Sequence, residues 1–129
     1  MLLRIIQWCT ILYVIALTLL LELPNPQRFL LHLDAMEPTE GYKHLIAFTL
    51  LGFLVELSRR KRTVFFWVGI LALYAIGTEI LQGLLNPIFH RTFDFLDIMQ
   101  DIFGILLGTG IGYCCRFLMY RFLKLPLVL

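Results

Sequence analysis

The chain has 129 residues, 60% of them hydrophobic and 16% charged, with a net charge of +2 and a mean hydropathy of +0.84. A water-soluble domain carries about a quarter charged residues, and one this small has too much surface to hide so much oil. That excludes a soluble enzyme or binding module, gives no basic footprint for nucleic acid, and makes the lipid bilayer the first expected partner.

A bilayer-spanning helix needs about 20 apolar residues. The first such run covers about residues 5–23, from Ile5 to Leu23, broken by Gln7, Thr10, Thr18 and Glu22. Its exit, Leu-Glu-Leu-Pro-Asn-Pro, lacks the small residues of a signal-peptide cleavage site, so a retained span is expected. A loop with Pro24, Pro26 and Pro38 follows, and a short second span is expected at 43–57. It ends at the basic run Arg59-Arg60-Lys61-Arg62. A third span is expected at 63–85, and a fourth at 94–119 after the connection Asn86-Pro87-Ile88-Phe89-His90-Arg91. The expected fold is an all-α integral membrane bundle of four helices in a single domain over residues 1–129.

Basic residues collect on the cytoplasmic side of membrane proteins. With four spans, eight of the eleven Lys and Arg residues share one side: Arg4, the 59–62 run, Arg116, Arg121 and Lys124. Both termini are therefore expected in the cytoplasm of a multi-pass protein. Cys9, Cys114 and Cys115 lie within apolar stretches at spacings that match no disulfide framework or metal site, and are read as small packing residues.

This orientation gathers His44, Glu79, Gln82, Arg91, Asp94, Asp97 and Asp101 at the outer end. At about 100° per residue, Asp94, Asp97, Asp101, Gly104, Gly108 and Gly112 share one face of the fourth helix. Ala72, Ala75, Glu79, Gln82 and Asn86 form a similar stripe on the third, and the two stripes are expected to face each other. Gly104, Gly108 and Gly112 make a small-xxx-small seam that lets a neighbouring backbone approach, so their expected role is helix packing. An ionised carboxylate in the membrane costs about 2.5–3.5 kcal/mol. An Arg91–Asp network completed by Glu79 and Gln82 is expected to offset it. Glu79, Asp97, Asp101 and His44 are the candidate catalytic groups; Arg91, Gln82 and Asp94 are candidates for holding substrate. Asp94 is equally suited to cap the fourth helix.

No serine nucleophile motif, phosphate loop or His-rich metal set is present, so no cofactor and no metal are expected, and the sequence leaves open whether the chain is an enzyme.

With these residues in place, the chain resembles the VanZ-like family of small bacterial membrane proteins. The resemblance is carried by His44, Glu79-Ile-Leu-Gln82, Arg91-Thr-Phe-Asp94-Phe-Leu-Asp97, Gly104 and Gly108, and is strongest over residues 40–112. Asp101 stands where the family usually has Asn. The resemblance implies a four-helix protein of the bacterial inner membrane that acts in the cell envelope and bears on glycopeptide resistance. The site then suits an amphiphile such as a lipid-linked cell-wall precursor or a glycolipid. A small proton-coupled carrier and a structural or regulatory subunit are the alternatives, and a homo-oligomer fits any of the three.

Single cysteines placed at Asp34, Arg60 and His90 should be labelled by an impermeant reagent from outside, inside and outside, respectively. Any other pattern breaks the four-span orientation.

Overall fold

A computed structural model describes residues 2–22, 40–59, 63–89 and 94–123. Four helices account for nearly all of these: α1 (Leu2–Glu22), α2 (Glu40–Ser58), α3 (Val64–Phe89) and α4 (Phe95–Leu123). Among the described residues there is no strand. Segments of α1, α3 and α4 (Leu2–Leu21, Val64–Leu85 and Phe95–Phe122) are long and apolar enough to cross a membrane. α2, with Glu40, Lys43 and Glu56 within its 19 residues, is not among those three. It nevertheless runs beside α4 from the level of Asp101 to that of Arg116, and 19 residues at about 1.5 Å each nearly match the hydrocarbon thickness.

The expected boundaries hold within a few residues. α3 continues past Leu85 through Pro87 to Phe89, where the sequence reading placed a connection. Pro87 stands in the last turn, two residues from the helix end, and its fixed φ of about −65° is itself helical. α4 starts where Asp94 caps it: Asp94 Oδ1 accepts a hydrogen bond from the Leu96 backbone N–H at 2.8 Å. Asp97 in its first turn and Arg121 in its last both complement the helix dipole.

Each helix turns one stripe inward. The shared core comprises Leu17 and Leu21 of α1, Phe48, Leu51 and Val55 of α2, Leu71 and Ala75 of α3, and Ile105 of α4. Large apolar residues on the remaining faces are exposed, among them Trp8, Leu19, Phe65, Leu73, Phe103 and Phe122, as a lipid-facing surface requires. Cys9 and Cys114 are exposed and Cys115 is partly exposed, so the cysteines lie toward the outside of the bundle and not at its packing seams.

The closest packing lies between α2 and α4, which run parallel. A Cβ added at Gly108 would run into the Thr49 carbonyl oxygen, and one at Gly104 would sit 2.7 Å from that of Leu45. At Gly112 it would meet Glu56 Cβ at 2.8 Å, and at Gly52, across the seam, the Ile105 carbonyl oxygen at 2.5 Å. The expectation that the glycine face of α4 meets the small-residue stripe of α3 is therefore corrected: the glycines press on α2. The reason is steric, because a helix face without side chains gains most from a backbone laid directly against it, and α2 supplies Gly52 in return. The α3 stripe turns inward as expected, with Ala75, Glu79 and Gln82 buried and Ala72 partly so.

Hydrogen bonds tie α1 to its neighbours. Gln7 donates to the Ser58 carbonyl at 3.1 Å and Tyr13 to that of Ala47 at 2.9 Å, which fixes α1 antiparallel to α2. The Thr18 and Tyr74 hydroxyls meet at 2.8 Å between α1 and α3.

Gly108→Ala should destabilise the bundle by about 1–3 kcal/mol, the usual cost of overpacking. Gly110→Ala, whose Cβ would have nothing within 4 Å, should leave stability nearly unchanged. Equilibrium unfolding in mixed micelles measures both, and equal effects would refute the seam.

Candidate functional site

Three helices converge at the end of the bundle where α2 and α4 begin. His44, in the second turn of α2, is 6% exposed; Glu79 of α3 and Asp101 of α4 are 0% exposed. His44 Nδ1 lies 3.1 Å from Asp101 Oδ1 and 4.0 Å from Glu79 Oε1. The parallel α2–α4 seam sets the first of these distances, since Gly104 lies three residues beyond Asp101 and meets Leu45, the neighbour of His44. The His44 ring stacks on Phe48 one turn further along α2, with centroids 6.4 Å apart and planes at 14°.

The acids are only half satisfied. Glu79 Oε2 accepts a hydrogen bond from the Asp94 backbone N–H at 3.3 Å, joining α3 to the start of α4. Glu79 Oε1 and Asp101 Oδ2 are buried with no hydrogen-bond partner among the described residues. Buried polar atoms nearly always find partners, so these two carboxylate oxygens, like Gln100 Oε1 next in sequence to Asp101, stand out among the described residues. The donor atoms of His44, Glu79 and Asp101 all lie within 4.8 Å of one another, an arrangement that could hold a metal ion.

The other expected site residues divide. Asp97 is partly buried one turn before Asp101. Asp94 is the α4 cap: its side chain is committed to Leu96 and its backbone to Glu79, so its place is to fix the acid next to it. Gln82 is 3% exposed and donates to the Leu21 carbonyl at 3.2 Å, which fastens the end of α1 to α3. Arg91, and with it the expected Arg91–Asp network, lies outside the described residues, as does the side chain of Asn86.

A second polar cluster, which sequence reading treated as a topology signal, closes the opposite end. Glu56 is 2% exposed, Arg59 7% and Arg116 4%. Both arms of the Arg59 guanidinium donate to the Glu56 carboxylate. Arg116 Nη1 donates to the Glu56 carbonyl at 2.9 Å and to the Arg59 carbonyl at 3.3 Å, and lies 3.4 Å from Glu56 Oε1. Arg116 thus closes the carbonyl-rich end of α2 from α4. The i,i+3 spacing of Glu56 and Arg59 was the available signal. A cavity of about 1010 Å³ between α1, α2 and α3 reaches this end, with apolar walls that include Val14, Leu51 and Ile70 and with Gln7, Ser58 and Arg59 on its lining.

Fold and site together define a small helical membrane protein with one half-satisfied acidic cluster and one satisfied basic cluster at opposite ends. The chain belongs to the VanZ/LLP1 family, whose profile matches residues 10–119. No curated protein and no solved structure gives a significant match.

Removing one member of a buried ion pair leaves the others uncompensated, at a cost of about 3–5 kcal/mol. Glu56→Gln should therefore destabilise the bundle by that order in the same unfolding assay. Replacing Glu56, Arg59 and Arg116 together by Leu, Met and Met should recover most of the loss; a larger loss in the triple variant would contradict this account of the cluster.

Proposed function

We propose that this chain is a multi-pass protein of the bacterial inner membrane that binds the polar head of an amphiphilic envelope component from the outer side. A lipid-linked cell-wall precursor or a glycolipid is the class that fits, and a bearing on glycopeptide tolerance follows from the capture of such a molecule. The observation that carries this reading is the pair of fully buried carboxylate oxygens on Glu79 and Asp101, beside His44, that have no hydrogen-bond partner among the described residues. Packing alone does not require them, since interhelical polar contacts contribute only about 0.6 kcal/mol on average. Intramembrane ionisable groups that are retained despite their cost mark ligand or ion sites.

The positive-inside bias supports the orientation, with the acidic end outside and the Glu56–Arg59–Arg116 end in the cytoplasm. An amphiphile can lodge its head among the acids while its chains remain in lipid, which suits a site one to two turns below the helix starts. A carrier would need a relay of titratable groups toward the other side. Glu56, the acid at the far end among the described residues, is held by two guanidinium groups, which disfavours that use.

Binding of a panel of polyprenyl-phosphate-linked and glycosylated lipids to the detergent-purified chain tests the proposal. Glu79→Gln and Asp101→Asn should each weaken the preferred lipid by about tenfold or more while helicity and monodispersity persist, a loss on the scale of a hydrogen bond to a charged group. In cells, the same variants should lose any glycopeptide tolerance that the parent confers. Equal lipid binding by the parent and both variants would refute the site. Unfolding of both variants without a specific binding loss would instead identify the cluster as structural.

A further inference from the structure

The half-satisfied acids raise the question of what balances them. We propose that His44, Glu79 and Asp101 hold a divalent transition-metal ion, with zinc the best match to the donor set. The inference deepens the amphiphile reading and rests on it for the use of the site, although ion binding is measured independently of any lipid.

The geometry comes from three separate helices. His44 Nδ1 and Asp101 Oδ1 are 3.1 Å apart, Nδ1 and Glu79 Oε1 are 4.0 Å apart, and the whole donor set fits within 4.8 Å. Zinc bound to nitrogen and oxygen at about 2.0–2.2 Å places neighbouring ligand atoms about 3.4 Å apart in a tetrahedron. Binding replaces the hydrogen bond between His44 Nδ1 and Asp101 Oδ1 and draws the donors, now within 4.8 Å of one another, to that spacing.

Independent of the spacing, Glu79 Oε1 and Asp101 Oδ2 are buried and without a hydrogen-bond partner among the described residues, on side chains with no exposed surface. A cation satisfies lone pairs that no described donor reaches. Two carboxylates and an imidazole also offer the negative charge and the lone pairs that a dication takes. Gln82, a buried polar group one turn beyond Glu79 on α3, is committed to Leu21. The single imidazole and small donor number favour zinc, or iron or manganese after it, over calcium or magnesium, which prefer oxygen donors in larger number. Three protein ligands leave a fourth position open, as in sites where zinc takes water or a ligand oxygen. A phosphate or hydroxyl oxygen of a lipid head suits that position.

The test uses the full chain in detergent, stripped with a chelator and reloaded with Zn²⁺ or Co²⁺. Elemental analysis should return one zinc per chain, and Co²⁺ should give the visible absorption of a low-coordinate site with a nitrogen ligand. His44→Ala should abolish that absorption, and Asp101→Asn, close in shape to the parent, should weaken metal affinity by about tenfold or more, at least the loss seen when only a supporting partner is removed. Gly110→Ala, remote from the cluster, should bind like the parent. If zinc is not retained above the level of His44→Ala, or is retained equally by all variants, the metal proposal is overturned. Lipid binding that still depends on Glu79 and Asp101 in metal-free protein would overturn the metal alone and leave the amphiphile reading standing. Metal binding without any lipid binding would do the reverse.

Discussion

The close approach of α2 to α4 is the constraint on which the rest depends. Side chains at Gly104 and Gly108 would occupy the same space as the α2 backbone, so the two helices can lie this close only along a face stripped to hydrogen atoms. In lipid, where apolar side chains gain little by leaving the solvent, such contact is a principal source of helix association. The seam sets the register as well as the distance. With Leu45 against Gly104 and Glu56 against Gly112, His44 comes level with Asp101 at one end and Glu56 with Arg116 at the other.

The same seam therefore builds two polar clusters of opposite character. At one end an acid and two guanidinium groups satisfy one another and the last carbonyls of α2, a closed arrangement that locks the helices. At the other, two acids meet one imidazole, with α3 brought in by the bond from the Asp94 backbone to Glu79, and an oxygen of each acid has no hydrogen-bond partner among the described residues. A closed cluster stabilises the bundle, whereas an open one in the same protein costs stability unless something binds there. That contrast gives the acidic end its functional reading.

Much of this was legible in the sequence, for physical reasons. Apolar runs of bilayer length located the helices, and the four-residue glycine spacing announced a close contact. His44, Glu79 and Asp101 were gathered by depth before any distance was known. The partner of the glycine seam was not legible, because helical phase shows which residues share a face but not which neighbour that face meets; Gly52, a lone small residue on α2, gave only a faint hint. The basic cluster was missed because Arg59 stands at the head of a run of four basic residues. A topology signal and a buried ion pair look alike until the side chain is placed. Asp94 was legible both as a helix cap and as a substrate-holding group, and its bond to Leu96 is the cap's; Gln82 was legible as polar and inward, and its bond to Leu21 serves the helices themselves.

The central claim, that the glycine face of α4 lies on α2 and so brings His44 to Asp101, is tested most directly by disulfide trapping. In a background lacking Cys9, Cys114 and Cys115, cysteines replace His44 and Asp101, whose side chains meet at 3.1 Å across the seam, so that the glycine face itself stays unaltered. Mild oxidation in native membranes should join this pair and leave a pair at positions 44 and 103 unjoined, since Phe103 is exposed on another face of α4. Failure of the first pair with formation of the second would place α2 on another face of α4 and dismantle the site.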